Sequence, residues 1–263
     1  MFQSTEQAET LLAQAIGAQD ISAFATPFSK WLHSVVPYDN ITVLAYFPAR
    51  APELLLAEAK DPSVHANFEK IYLAGAFLLD PFHELHVSRA KDGVYRLADI
   101  APDQFQRNRY FRDYYSSTSL IDELGFVQHT TPDVSVHICL GRDNSSGTRF
   151  STRELSAAQR IAPIVRVLAN RHWRDFEDRS AGTEADVSTR LRESLLGAQG
   201  IALSHRQAEV AMLVLKGNSS VSIGLKLGIS PQTVKVFRKQ LYRKCGISSQ
   251  AELFNMMLPL LGS

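Results

Sequence analysis

The sequence predicts an α+β domain, with helices flanking a mostly antiparallel sheet, followed by a shorter all-helical domain. Three observations carry this. Residues 41–47, 53–59, 120–129 and 134–140 read as strands, whereas 5–16, 21–35, 63–79 and 152–175 place apolar residues at helical spacing. Between 176 and 189 the chain is polar and almost without large apolar side chains, so it has little to bury and reads as a linker. The charge is also divided: from residue 201 onward eight Lys and Arg stand against two Glu, whereas the first 200 residues carry twenty against twenty-five acidic side chains. A short basic tail domain behind an acidic one predicts that only the tail meets a polyanion. The boundaries this sets are a first domain at 1–175, a linker at 176–195 and a second domain at 196–263.

Composition narrows the class. With 263 residues, 45% hydrophobic and 21% charged, the chain is outside the collagen-like, disordered and disulfide-scaffold ranges. Its two cysteines, Cys139 and Cys245, have no partner spacing for zinc or a disulfide framework, which predicts a reducing compartment. The polar opening lacks the pattern of an export signal, and the longest apolar run, 71–79, is far below the roughly 20 residues a membrane span needs. A cytoplasmic protein with no membrane partner is expected.

In the first domain, two helices (5–16, 21–35) lead into two strands and a helix over 63–79. After Asp80-Pro81 comes an irregular stretch with aromatic-rich helical turns around 105–115. Strand 134–140 alternates, Val134, Val136 and Ile138 facing one way and Ser135 and His137 the other. The closing helix carries Leu155, Ala158, Ile161, Val165, Leu168 and His172 on one face.

The second domain is written in caps. Ser204 with Gln207 forms a capping box that opens a helix through about Leu215, and Gly217 ends it. Ser219 or Ser220 caps a short second helix with Ile223 and Leu227 inward, and Gly228 supplies the turn. Ser230 caps a third helix with Pro231 at its first position; Gly246 stops it, and Ser249 with Glu252 opens a fourth. On the third helix Val234, Phe237, Leu241 and Cys245 make the stripe expected to pack, and Gln232, Lys235, Val236, Lys239 and Arg243 lie opposite. Two ammonium groups, a guanidinium, an amide and a methyl-bearing side chain suit a helix laid in a DNA major groove. A merely solvated basic face is the bland alternative.

These positions, with Arg206, Glu209-Val210, Leu227-Gly228-Ile229, Thr233, Arg238, Lys244 and Ala251-Glu252-Leu253, resemble the helix-turn-helix domain of LuxR/NarL-type bacterial transcription regulators. The resemblance covers about a quarter of the chain. It implies a four-helix domain whose third helix reads DNA through Gln232, Thr233, Lys235, Val236, Arg238, Lys239 and Arg243, and whose fourth helix pairs two subunits. The chain has Gln207 where Glu is usual, Phe237 for His, Cys245 for Leu and Gln250 for Arg.

The input of such a regulator sits in front. A phosphoacceptor receiver would open on a hydrophobic strand ending in paired acidic residues, and this chain opens on a polar helix. The pattern Tyr72-x-x-Gly75-x-Phe77-x-x-Asp80-Pro81, with Phe150-Ser151, Glu154 and Pro163, resembles the GAF-like sensor domains of LuxR-type regulators, including acyl-homoserine-lactone receptors. That implies a GAF/PAS-like α-β-α sandwich. Asn67 and Ile71 stand where those receptors carry Trp and Tyr. Candidate ligand-binding residues are Tyr38, Phe47, Tyr72, Phe77, Asp80, Phe82, Tyr95, Tyr110, Phe111 and Tyr115, because aromatic walls around one carboxylate suit an amine, amide or lactone. The alternative is that these aromatics are core and that Asp80 caps a turn.

The expected function is therefore a ligand-responsive, DNA-binding transcription regulator. Its expected partners are a double-stranded DNA operator, a small-molecule effector, a second copy of the chain and RNA polymerase. Control by protein contact, or constitutive action, is the alternative. A metal-binding or catalytic first domain built on Asp80, His83, Glu84 and His86 is the remaining one; His83 and His86 could share a metal on one helical turn, yet the pair lacks the frame of a zinc-hydrolase motif. No cofactor, metal site or catalytic set is expected.

Overall fold

A computed structural model describes residues 5–48, 50–173 and 187–261. Strands β1 (Asn40–Tyr46), β2 (Glu53–Ala59), β3 (Gly93–Arg96), β4 (Leu120–His129) and β5 (Ser135–Asp143) form an antiparallel sheet in the order β2-β1-β5-β4-β3. The helices are α1 (Thr5–Gly17), α2 (Ile21–Val35), α3 (Pro81–Val87), α4 (Leu97–Ile100), α5 (Arg109–Asp113), α6 (Thr152–His172), α7 (Val187–Gln199), α8 (His205–Leu215), α9 (Ser220–Leu227), α10 (Pro231–Cys245) and α11 (Gln250–Leu261). The α+β class and the helical C-terminal domain are as expected.

The strand period of two builds the first core. It sends Ile41, Val43 and Ala45, Leu124 and Phe126, and Val136, Ile138 and Leu140 to one face of the sheet, where they meet Phe24, Phe28 and Trp31 of α2 and Ala158, Ile161, Val165 and Leu168 of α6. Asp20 caps α2 by accepting from the Ala23 N–H at 2.8 Å, and Ser151 and Glu154 form a reciprocal box at the start of α6. Ser135 and His137 do point the other way, yet that face is buried as well: both are fully enclosed, with Tyr46.

Several boundaries differ from the sequence reading. The helix expected over 63–79 is three single turns, Pro62–His65, Phe68–Leu73 and Ala76–Leu79; Gly75, at φ +135°, lies outside any helical conformation and separates the last two. The stretch after Asp80 holds α3 and β3. Four residues are too few to show alternation, and β3 is secured by the Arg96 guanidinium on Asp122 at 2.5 and 3.2 Å. Of the linker expected at 176–195, residues 176–186 lie outside the described ones, and from Val187 the chain is helical, with Leu191 and Leu195 buried one turn apart.

The chain divides into two compact units, but not at residue 175. The first comprises Met1–His65, Leu85–Asp99 and Ser119–Arg179; the second joins Ala66–Glu84 and Ile100–Thr118 to Ser180–Ser263. Within the second unit, polar groups at the α8–α9 turn find partners in these aromatic segments. The Gln104 N–H donates to the Gly217 carbonyl at 2.9 Å, the Asn108 amide to that of Leu215 at 3.5 Å, and the Ser219 N–H to Asp103 at 3.0 Å. Lys216 pairs with Glu84. Helix α11 packs on α7 and α8 and also on α5 and the turn Ala76–Leu79.

Candidate functional site

Each helix of the C-terminal domain starts and stops on a local signal. The Ser204 hydroxyl accepts from the Gln207 N–H at 3.2 Å, and Gln207 Oε1 accepts from the Ser204 N–H at 3.0 Å. Ser219 caps α9 and Ser230 caps α10, with Pro231 where a missing N–H costs nothing. Gly228 and Gly246 take the left-handed conformation at φ +65° and +64°.

Gly224 has a role that the sequence reading overlooked. It lies in the middle of α9, and a Cβ there would sit 2.7 Å from the Ile229 carbonyl oxygen and 3.4 Å from the Pro231 nitrogen. The α9–α10 approach therefore requires glycine; a glycine inside a helical pattern was the available signal.

The side chains that depart from the usual pattern also have partners. Gln207 Oε1 accepts from Lys244 Nζ at 3.0 Å, and its Nε2 donates to Gln240 at 3.3 Å. Lys244 also donates to the Ala202 carbonyl at 2.8 Å, so this cation braces the domain. Gln250 donates to the Val214 carbonyl at 2.8 Å, satisfying the end of α8. Burial pushes the Cys245 thiol up, as for a packed cysteine. None of these contacts was visible in sequence, because every partner lies on another element.

Helix α10 is divided as its period requires. Val234, Leu241 and Cys245 are buried and Phe237 is half-buried. Gln232, Thr233, Lys235, Val236, Lys239 and Arg243 are exposed, Val236 at 54%. Arg238 is the exception among the expected DNA contacts: half-buried, it reaches Ser220 Oγ and Tyr242 Oη, each at 3.4 Å, and ties α10 to the first turn of α9. The open face thus carries two ammonium groups, a guanidinium, an amide, a hydroxyl and a methyl-bearing side chain.

The expected effector residues are divided between the two units. Tyr72, Phe77, Asp80, Phe82, Tyr110, Phe111 and Tyr115 belong to the second unit. Asp80 is enclosed there, accepting from the Tyr72 hydroxyl at 2.7 Å, the Phe82 N–H at 2.8 Å and the Tyr110 hydroxyl, and burial pushes its carboxyl up. The ionised, ligand-seeking carboxylate expected from sequence is instead a group satisfied by its own chain, and the turn-capping alternative describes part of its role. Phe111 stacks on Tyr115 at 5.3 Å, and Phe82 is fully buried.

The remaining three belong to the first unit. Phe47 continues the helix-covered face of β1 into the core. Tyr38 donates to the Ser29 carbonyl at 2.8 Å, and burial drives its phenol well above the usual range. Tyr95 is half-buried on the edge strand β3 and donates to the Lys91 carbonyl at 2.6 Å. Aromatic character marked these side chains as buried or half-buried. Among the described residues no group of three or more His, Cys, Asp and Glu is placed to hold a metal, and Glu84 is taken by Lys216.

A capped short helix, a glycine-bearing contact and a basic exposed helix after it define a helix-turn-helix domain. Residues 202–257 match the profile of the bacterial regulatory proteins of the luxR family. An HTH-type transcriptional regulator of Aeromonas salmonicida, named for the exeN 3′ region, is 28% identical over 184 residues, spanning 68% of this chain and 93% of that protein. The LBD domain of VqsR from Pseudomonas aeruginosa shares the α+β fold, with a TM-score of 0.52 at 22% identity over 63% of this chain and 93% of that one. Escherichia coli SdiA aligns over 96% of this chain and 97% of its own at 14% identity and a TM-score of 0.40. No helix among the described residues is long and apolar enough to cross a membrane.

Proposed function

We propose that the chain is a ligand-controlled transcription regulator that reads a DNA operator with α10 and takes a small-molecule effector through its α+β part. The observation that carries the first half is the division of α10: Val234, Leu241 and Cys245 fix the helix from behind, and Lys235, Val236 and Lys239 stand free on the front. Ammonium groups there serve phosphate or guanine edges, and the Val236 methyls suit a thymine methyl. The second half is supported by the fold shared with a domain described as an LBD.

Lys235→Ala and Lys239→Ala should each weaken operator binding by about 1–3 kcal/mol while leaving the thermal transition unchanged, because neither side chain is buried. Fluorescence anisotropy at matched salt measures this. Wild-type affinity in both variants would remove α10 as the reader. A thermal-shift screen of amines, amides and lactones on the full chain tests the effector, and a library without a single hit would count against it.

A further inference from the structure

We propose that the cleft between α6 and strands β3 and β4 is a binding site for a small organic carboxylate. The site stands on the geometry of the first unit alone and does not depend on whether its ligand governs DNA binding. Helix α6 covers the sheet with Pro163 in its interior. Proline has no N–H to give the Gln159 carbonyl, so one helical acceptor is released at this level, and both residues line the cleft.

Opposite them, the alternation that turns Leu124 and Phe126 toward the helices turns Gln128 the same way. Gln128 is 2% exposed, and its Nε2 has no hydrogen-bond partner. A buried amide donor left unpaired is costly where Leu or Val would pack, so its placement here points to a bound acceptor.

The rest of the lining says which acceptor. Phe126, Val165 and Ala162 supply an apolar floor in a cavity of about 210 Å³, smaller than the sites of drug-sized ligands and of a size for a small anion. Arg166 stands at the rim, and among the described residues no carboxylate comes within ion-pair distance of it. The cleft's own carboxylate, Asp92, is engaged by the N–H and Nδ1 of His129 at 2.9 and 3.0 Å. A buried N–H donor, a free guanidinium and an apolar floor together complement an anion with a short apolar body: one carboxylate oxygen for Gln128, the charge for Arg166. A phosphate or sulfate would leave the floor unused.

Hexanoate and benzoate are the probes, titrated into the full chain by calorimetry and saturation-transfer NMR beside their neutral analogues hexanol and benzamide. The expected result is one carboxylate bound per chain, with the neutral analogues weaker. Gln128→Leu, which keeps the shape and removes the amide, and Arg166→Ala should each weaken binding by about ten- to a hundredfold, the range for a hydrogen bond to a charged group. Gln128→Leu should fold at least as stably as wild type, so loss of binding in it reads out the site. No carboxylate binding at tens of millimolar, or equal binding in wild type and both variants, would overturn the proposal. So would Gln128→Leu raising the transition temperature while carboxylate affinity stays unchanged, because the amide would then serve only a trapped water.

Discussion

At the scale of single residues, the glycines of the C-terminal domain are required for different reasons. Gly228 and Gly246 spare the chain a left-handed penalty of roughly 1 kcal/mol each, which a side chain can bear. Gly224 differs in kind, because the atom a Cβ would meet at 2.7 Å is a backbone oxygen that cannot swing aside. Gly224→Ala should therefore cost about 1–3 kcal/mol, as overpacking of a tight contact does, even though alanine is the better helix former. Urea unfolding of the full chain, compared with Gly228→Ala, measures it. A variant as stable as wild type would mean that α9 and α10 do not approach as described. Asp80 shows the opposite lesson about reading a residue from sequence: its type and its place beside Pro81 were visible, but its partners, Tyr72 and Tyr110, come from different segments and were not.

At the scale of elements, β5 carries a buried histidine on its second face. The Ser135 hydroxyl lies between His86 Nδ1 at 2.8 Å and His137 Nε2 at 3.0 Å, and the Tyr46 ring covers both imidazoles. Burial, with the nearby His129, drives His86 down to about 4 and His137 well below its ordinary value of 6.5. The unfolded chain takes up these protons near pH 6.5, and the folded one only near pH 4 or below. Between those values the unfolded state binds more protons, so stability is complete above about pH 6.5 and is lost as the pH falls toward 4. Melting temperature against pH should show this slope, and His137→Gln should flatten it; a profile unchanged by that variant would assign the acid sensitivity elsewhere. Elements whose ends are written locally were legible in the sequence: α8 to α10 begin on a Ser cap, and the α9 and α10 caps fall where Gly228 and Gly246 stand. The turns over 62–79, β3 and α7 were not, because Gly75's backbone angle, a four-residue pairing and Leu191 with Leu195 against other helices are settled by tertiary contacts.

At the scale of the whole molecule, the surplus of apolar side chains on α11 raises the question of what covers it. Leu253, Phe254, Met256, Met257, Leu258 and Leu260 exceed what one packed face needs, and on sequence alone a second subunit was the expected cover. In the structure Leu253, Phe254 and Met257 are buried within a single chain, and α5 and the turn Ala76–Leu79 supply cover in addition to α7 and α8. Those two segments are held to the same unit by Gln104, Asn108, Asp103 and Glu84 at the α8–α9 turn. The polar part of this contact contributes little to the balance, since Gly217 and Leu215 carbonyls would be solvated if released. The apolar part is what a truncated chain loses. A fragment of residues 187–263 should therefore bind operator DNA through the unaltered α10 face, yet melt below the full chain's helical domain and self-associate at concentrations where the full chain does not. Sedimentation velocity and circular dichroism on both proteins decide this. A fragment that stays monomeric and melts at the same temperature would show that the cover from 76–79 and 109–113 carries no weight, and would leave α11 free to pair with a second copy as the sequence suggested.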